Sequence, residues 1–154
     1  MPKSKTKPVL LKKDTYLAFI KNSVGARAFR NSYALVGGKR EDILKNGELS
    51  CAYFVSCVLK ILGLINEAHS TVSGTILDMK KSGWKQIKAP KEGSVVVWKL
   101  KETKSGWHEH IGFYIGKGEA ISNIDKKRTP DKHKLVVRKY REIKEIWWNK
   151  KLGG

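Results

Sequence analysis

The sequence predicts an α+β domain in which N-terminal helices pack on a small antiparallel sheet. Helical patterns fill the first part of the chain and strand patterns the second, an order typical of folds with segregated helices and strands. The chain has 154 residues, the size of one domain, and 40% of them are hydrophobic, which is enough for a buried core. We therefore expect one domain over residues 14–154, preceded over residues 1–13 by a basic, flexible arm.

The N-terminal half carries signals for helix ends. Asp14 can cap a first helix before apolar residues at helical spacing, and Gly25 ends it. Residues 31–48 contain glycine-bearing turn signals, which predict loop and turns around a short helical piece. The clearest helix runs from Ser50 to Leu64 and is apolar on most faces, so we expect it to be buried. A shorter helix through Met79 follows.

The second half contains segments rich in β-branched and aromatic residues. Three of them are predicted strands and two are left open as strand or helix; the strands cover 95–98, 110–115 and 119–124, and the open segments cover 136–137 and 143–148. The turn Gly116-Lys117-Gly118 joins the second and third strands, which is the pattern of a β-hairpin. This hairpin makes the sheet antiparallel.

Charge is the unusual feature of the composition. There are 32 Lys and Arg residues against 14 Asp and Glu residues, which gives a formal charge of +18. Such a field attracts polyanions such as nucleic acid, an anionic membrane or an acidic wall polymer, but it selects poorly among them. No helix-turn-helix, zinc or RNA-binding signature accompanies the charge, so nucleic-acid binding would depend on the lysines alone.

Several classes of protein are not expected from this sequence. No apolar stretch reaches the roughly 20 residues of a membrane span, and the N-terminus lacks the apolar core of a secretory signal. The expected location is therefore the cytoplasm, with export by another route left open. No Cys-x-x-Cys or His-x-x-x-His spacing occurs, so we expect no metal and no other cofactor. We expect a monomer.

Cys51 is the candidate nucleophile. It lies where a loop ends and the buried helix begins, and a helix N-terminus favours the reactive thiolate. Unpaired backbone N–H groups in the first turn could also receive an oxyanion. Cys57 lies in the middle of the same helix, and we interpret it as a core residue. The helical rise between the two is about 9 Å, beyond the roughly 7 Å limit for a disulfide.

His110 is the candidate base, because it begins an apolar strand directly after a polar loop. His108 is its rival, since it lies two residues earlier on the same strand face if the strand begins that early. The remaining histidines, His69 and His133, fall in segments that we interpret as polar loops.

A third group usually orients the imidazole of a Cys–His pair. Across the predicted hairpin, period-two alternation places Ser122 on the face of His110 and Asn123 on the other, and a one-residue bulge would exchange them. The amide oxygen of asparagine is the better partner for an imidazole N–H. The sequence leaves both candidates open.

These residues together resemble the NlpC-type cysteine peptidases, cell-wall relatives of the papain-like superfamily. The matching segments lie between Tyr33 and Asn123 and comprise Tyr33 with Gly37-Gly38, Leu49 to Phe54, Pro90 to Trp98, and the His-Ile-Gly-Phe-Tyr-Ile-Gly-Lys-Gly run from His110 to Gly118. The last is the most specific, because it couples a histidine to a turn at a fixed distance. The chain departs from the family where it has Ser50-Cys51-Ala52-Tyr53, Gly93-Ser94 and Ser122.

The resemblance implies a papain-like fold and a thiol-dependent amidase or peptidase. Cys51 would be the nucleophile, His110 the base, and Ser122 or Asn123 the orienting group, with Tyr33 and Ser50 near the substrate. Peptidoglycan stem peptides are the implied substrate class, and the positive charge would suit an anionic wall polymer. The alternative is a catalytically inactive or non-enzymatic basic module that binds nucleic acid or another anionic polymer.

Overall fold

The computed structural model describes residues 5–136 and 142–153. It contains three α-helices, with a two-stranded hairpin between the first and second and a run of strands after the third, and a short 3-10 helix (Lys150–Leu152) follows the last strand. The helices are α1 (Lys12–Asn22), α2 (Cys51–Ile61) and α3 (Val72–Lys81). The strands are β1 (Tyr33–Val36), β2 (Lys39–Asp42), β3 (Lys85–Gln86), β4 (Val95–Thr103), β5 (Gly106–Gly116), β6 (Glu119–Ile124), β7 (Thr129–Lys134) and β8 (Ile143–Trp148).

The expected α+β class with an antiparallel sheet is confirmed. The main sheet has the strand order β3-β8-β4-β5-β6-β7. All of its described strand pairs are antiparallel, and the hairpin of β5 and β6 is the one that the sequence predicts. A bulge in β4 between Trp98 and Lys101 interrupts the pairing with β5 just before His110.

Aromatic contacts hold the helices on one face of this sheet. The rings of Phe54 in α2 and Phe113 in β5 meet edge to face with centroids 5.5 Å apart. Tyr16 in α1 contacts Phe113 at 5.8 Å, and its hydroxyl donates to the carbonyl of Gly93 at 2.7 Å. Burying side chains of this size contributes roughly 1.5–3 kcal/mol each, so these contacts fix α1 and α2 against β5.

The other face of the sheet carries a second, smaller cluster. It is formed by Val96, Trp98, Ala120 and Leu135. Because side chains alternate along a strand, β4 sends Val95 and Val97 to the helices and Val96 and Trp98 to this second face. His110 pairs with Trp98 and therefore belongs to the second face as well.

Two expectations for the N-terminal half are wrong. Helix α1 begins at Lys12 with Leu11 in the N-cap position, so Asp14 lies in its first turn instead of capping it. Residues 31–48 hold the β1–β2 hairpin in place of a short helical piece. The hairpin was missed because its strands are almost wholly exposed, whereas Gly37 and Gly38, with φ of 58° and 79°, form the tight turn that its geometry needs.

Strand β7 was also missed, which corrects the interpretation of His133 as a loop residue. Apart from Pro130 its sequence, Thr-Pro-Asp-Lys-His-Lys, is polar, yet it pairs with β6 along its whole length. Edge strands bury little apolar surface and so carry a weak sequence pattern. The open segment 143–148 is strand β8, Val136 follows β7 outside any strand, and Val137 lies outside the described residues.

Candidate active site

Three polar side chains form a hydrogen-bonded row on the second face of the sheet. The Nε2 atom of His110 lies 2.8 Å from the hydroxyl oxygen of Ser122, and that oxygen lies 2.6 Å from Nε2 of His133. The row ends at the Lys134 carbonyl, which lies 2.8 Å from Nδ1 of His133. Ser122 is fully buried and both histidines are half-buried, so the two bonds to the Ser122 hydroxyl are partly shielded from water.

Strand register brings these residues together. His133 pairs with Ala120 across the β6–β7 ladder, and Ser122 lies two residues from Ala120 on the same face. Gly112 on β5 lies against Ser122, and a β-carbon built on Gly112 would be 2.7 Å from the Ser122 β-carbon. The absence of a side chain at Gly112 therefore allows β5 and β6 to bring His110 and Ser122 into contact.

Trp98 packs against both histidines. Its ring centroid is 5.4 Å from that of His110 and 5.6 Å from that of His133, with the planes tilted in each case. The indole N–H donates to the Leu135 carbonyl at 3.0 Å, so the ring orientation is itself fixed. Trp98 thus restricts both imidazoles to the orientations that Ser122 requires.

Of the two candidate orienting residues, Ser122 contacts His110 and Asn123 does not share its face. The buried Asn123 amide donates from Nδ2 to the Gly47 carbonyl at 2.8 Å. Asn123 therefore ties the end of β6 to the loop that precedes α2. A second bond to this loop comes from the turn between β4 and β5, where the Ser105 hydroxyl donates to the Glu48 carboxylate at 2.8 Å.

Cys51 is the first residue of α2 and is half-buried against the main core. The first intrahelical bond runs from the Phe54 N–H to the Ser50 carbonyl at 2.9 Å, so the N–H groups of the first turn point out of the helix end. Ser50 occupies the N-cap position but makes no side-chain capping bond. Its side chain is fully buried in this structure, and contact between Ser50 and a substrate stays a prediction.

Cys57 lies half-buried farther along α2. Burial raises the pKa of its thiol, against the opposing effects of a hydrogen bond with Tyr53 and the charge of Lys60. A thiol held in its neutral form is a poor nucleophile. The two cysteines thus occupy different environments on one helix, and Cys57 is suited to packing.

Tyr33 lies on the exposed β1–β2 hairpin, with 56% of its surface accessible. The guanidinium of Arg40 stacks over its ring at 4.0 Å from the centroid. His108, the rival base, lies on β5, but its Nε2 atom is 3.0 Å from the Ser105 carbonyl in the turn before that strand. The ring of His108 is therefore engaged with its own turn.

Sequence reasoning overlooked a second polar centre, built around Asp78 of α3. Burial opposes its ionisation, but hydrogen bonds from His69, the backbone N–H groups of Asn66 and Glu67, and Ser82 hold the pKa of Asp78 well below its usual range. His69 contacts the carboxylate at 2.7 Å. This centre fastens the loop between α2 and α3 to α3. An aspartate inside a helical pattern gives no signal of such long-range bonds.

Within residues 5–136 and 142–153, no group of three or more His, Cys, Asp or Glu side chains is arranged to hold a metal ion. The described helices are all too short or too polar to cross a bilayer. Comparison of the sequence with models of known protein families finds no match, and comparison with characterised proteins finds no similar sequence. The likeness to NlpC-type peptidases therefore depends on the sequence motifs alone.

Proposed function

We propose that this protein is a cysteine hydrolase of the papain-like, NlpC type, in which Cys51 attacks an amide carbonyl and His110 acts as its base. The observation that carries the proposal is the contact between His110 and Ser122. It orients the imidazole of the histidine that begins the family-like motif from His110 to Gly118 on β5. A base held by a third group is the usual requirement for an activated thiol.

The position of the loop before α2 supports the pairing of Cys51 with His110. Asn123 and Ser105 anchor this loop at the end of the sheet where β6 finishes and β5 begins. His110 lies in the first half of β5, at that same end. The N-terminus of α2, with Cys51 as first residue, therefore lies at the same end of the sheet as His110, although α2 packs on the opposite face, so the proposed pairing is made across this end.

The chemistry follows from these roles. The Cys51 thiolate forms a bond to the amide carbon, and N–H groups of the first turn of α2 stabilise the oxyanion. His110 gives a proton to the leaving amine as the carbon–nitrogen bond breaks. Water then hydrolyses the thioester, and the thiol is regenerated. No cofactor is needed for any step.

Peptidoglycan stem peptides are the substrate class that we propose. They are the substrates that the resemblance implies, and a formal charge of +18 would hold the protein near an anionic wall polymer. Tyr33, exposed on the β1–β2 hairpin, is available to contact such a substrate.

The matched pair Cys51→Ala and Cys57→Ala tests the mechanism. Both variants remove one half-buried thiol from the same helix, so their effects on packing are similar, on the order of 1–2 kcal/mol. The assay is release of peptides from purified peptidoglycan fragments, measured by mass spectrometry. We expect Cys51→Ala to abolish this activity and Cys57→Ala to retain most of it. Equal activity of Cys51→Ala and wild type would exclude the mechanism.

A thiol-reactive probe distinguishes the remaining possibilities. We expect Cys51 to be labelled faster than Cys57 at neutral pH, because a helix N-terminus favours its thiolate. Fast labelling without hydrolysis of peptidoglycan would retain the thiol enzyme and exclude this substrate. Slow labelling of both cysteines, with no hydrolysis, would favour a non-enzymatic basic module.

A further inference from the structure

We propose that His133 is a positioning residue that, through Ser122, fixes which ring nitrogen of His110 carries the proton. The inference deepens the proposed function and depends on it only for the role of His110 as a base. The proposal states which group donates and which accepts in each hydrogen bond of the row from Lys134 to His110. The positions of the protons on the two histidine rings can be measured without any substrate.

The direction is set at the Lys134 end of the row. The partner of His133 Nδ1 there is a backbone carbonyl, which can only accept a hydrogen bond. Nδ1 must therefore carry a proton. Burial lowers the pKa of His133, against the smaller opposing effects of this hydrogen bond and the charge of Asp131, and so favours the neutral ring. A neutral ring protonated at Nδ1 has a lone pair at Nε2.

The next bond follows from the first. The hydroxyl of Ser122 lies 2.6 Å from His133 Nε2, and its single hydrogen is the donor that this lone pair requires. Once its hydrogen is committed to His133, the Ser122 oxygen can only accept from its other partner. Nε2 of His110, 2.8 Å away, is therefore the donor to Ser122. The neutral His110 ring then has its lone pair at Nδ1.

Ser122 alone would not impose this order. A hydroxyl can both donate and accept, so it is compatible with a proton on either nitrogen of His110. His133 removes that freedom because it consumes the only hydroxyl hydrogen. Trp98 adds rigidity, since its ring contacts both imidazoles and is held by its own bond to the Leu135 carbonyl. The base that accepts the Cys51 proton is then Nδ1.

The test is the tautomer of His110, read from nitrogen-15 NMR of the histidine rings in the full-length Cys51→Ala variant. That variant removes the Cys51 thiol, and about pH 8 lies well above the ordinary histidine pKa of about 6.5, which favours neutral rings. The chain has four histidines, so a His110→Gln variant in the same background assigns the signals. We expect His110 to be protonated at Nε2 and His133 at Nδ1.

Two substitutions of His133 then separate positioning from packing. In His133→Leu the Ser122 hydroxyl regains its freedom, so the ratio of Nε2–H to Nδ1–H forms of His110 should fall by roughly 3- to 10-fold. Glutamine can donate to the Lys134 carbonyl from its nitrogen and accept from Ser122 at its oxygen. His133→Gln should therefore restore most of the ratio. His69→Gln, in the α3 centre, should leave it unchanged.

The NMR results test the role of His133 separately from the proposed hydrolase function. A wild-type-like ratio in His133→Leu, or His110 protonated at Nδ1 before any change at position 133, would overturn the proposal. If His133→Leu does not fold, the proposal is tested by the tautomer of His110 in the Cys51→Ala protein and in its His133→Gln variant. Protonation of His110 at Nδ1 in either of them would overturn it. If the protein shows the expected tautomers but hydrolyses no peptidoglycan, the role of His133 is supported and only the proposed function is excluded.

Discussion

Replacing Gly112 with alanine tests whether the close approach of β5 and β6 creates the His110–Ser122 contact. The new β-carbon would lie 2.7 Å from the Ser122 β-carbon, 2.9 Å from the Ile121 carbonyl oxygen and 3.1 Å from the Trp98 ring. One of these partners is backbone and cannot rotate away, so the strands must separate. Gly112 is not among the glycines with positive φ, and the substitution therefore adds the contact without imposing a forbidden backbone conformation.

Overpacking of this kind costs about 1–3 kcal/mol. For a domain of this size each kcal/mol lowers Tm by about 2–4 °C, so we expect a loss of roughly 2–12 °C in thermal unfolding. Because the strands move apart at Ser122, turnover of a peptidoglycan fragment should fall as well, at a temperature where the variant remains folded.

Ser122→Gly provides the matched control, since it removes the β-carbon that Gly112→Ala would strike. The double variant should unfold at a higher temperature than the sum of the two single effects predicts, with a coupling of about 0.5–3 kcal/mol. An unchanged Tm in Gly112→Ala would refute the reasoning. Strict additivity in the double variant would show that Ser122 is not the group in conflict with the new side chain.

Two further predictions concern acid stability and charge. Asp78 has a lowered pKa in the folded protein, so its contribution to stability is complete above about pH 5 and is lost as the pH falls through the usual aspartate value of about 3.9 and below. Urea unfolding of Asp78→Asn should therefore show lower stability at neutral pH and a smaller loss between about pH 5 and pH 3; an unchanged pH dependence would contradict this role. Deleting residues 1–10, which precede α1, should weaken retention on an anionic column, by less as salt rises. Turnover of a small neutral amide should not change, and its loss would place the arm in the active site.

Local patterns were sufficient for the elements that bury an apolar face. Helix α2 was predicted because its side chains are apolar on most faces, and the β5–β6 hairpin because Gly116 and Gly118 flank a turn with the required positive φ. These signals depend on residues close together in the chain. Cys51 at the start of a helix and His110 on a strand follow from the same signals.

The partners of His110 depended on contacts between residues distant in sequence. The choice between Ser122 and Asn123 turned on the β5–β6 register, in which Phe113 pairs with Ile121 and the only irregularity lies nearer the turn. A single added residue in either strand would have reversed the choice, and no local pattern forbids one.

The sequence by itself determined the α+β class, the main buried helix, the antiparallel hairpin and the charge, because each depends on composition or on short-range periodicity. Only the tertiary structure decided that His133 belongs to the site. Strand β7 has no apolar pattern of its own, and its place at the edge of the sheet comes from backbone pairing with β6. That pairing brings His133 to Ser122, because hydrogen bonds between strands join residues irrespective of their side chains.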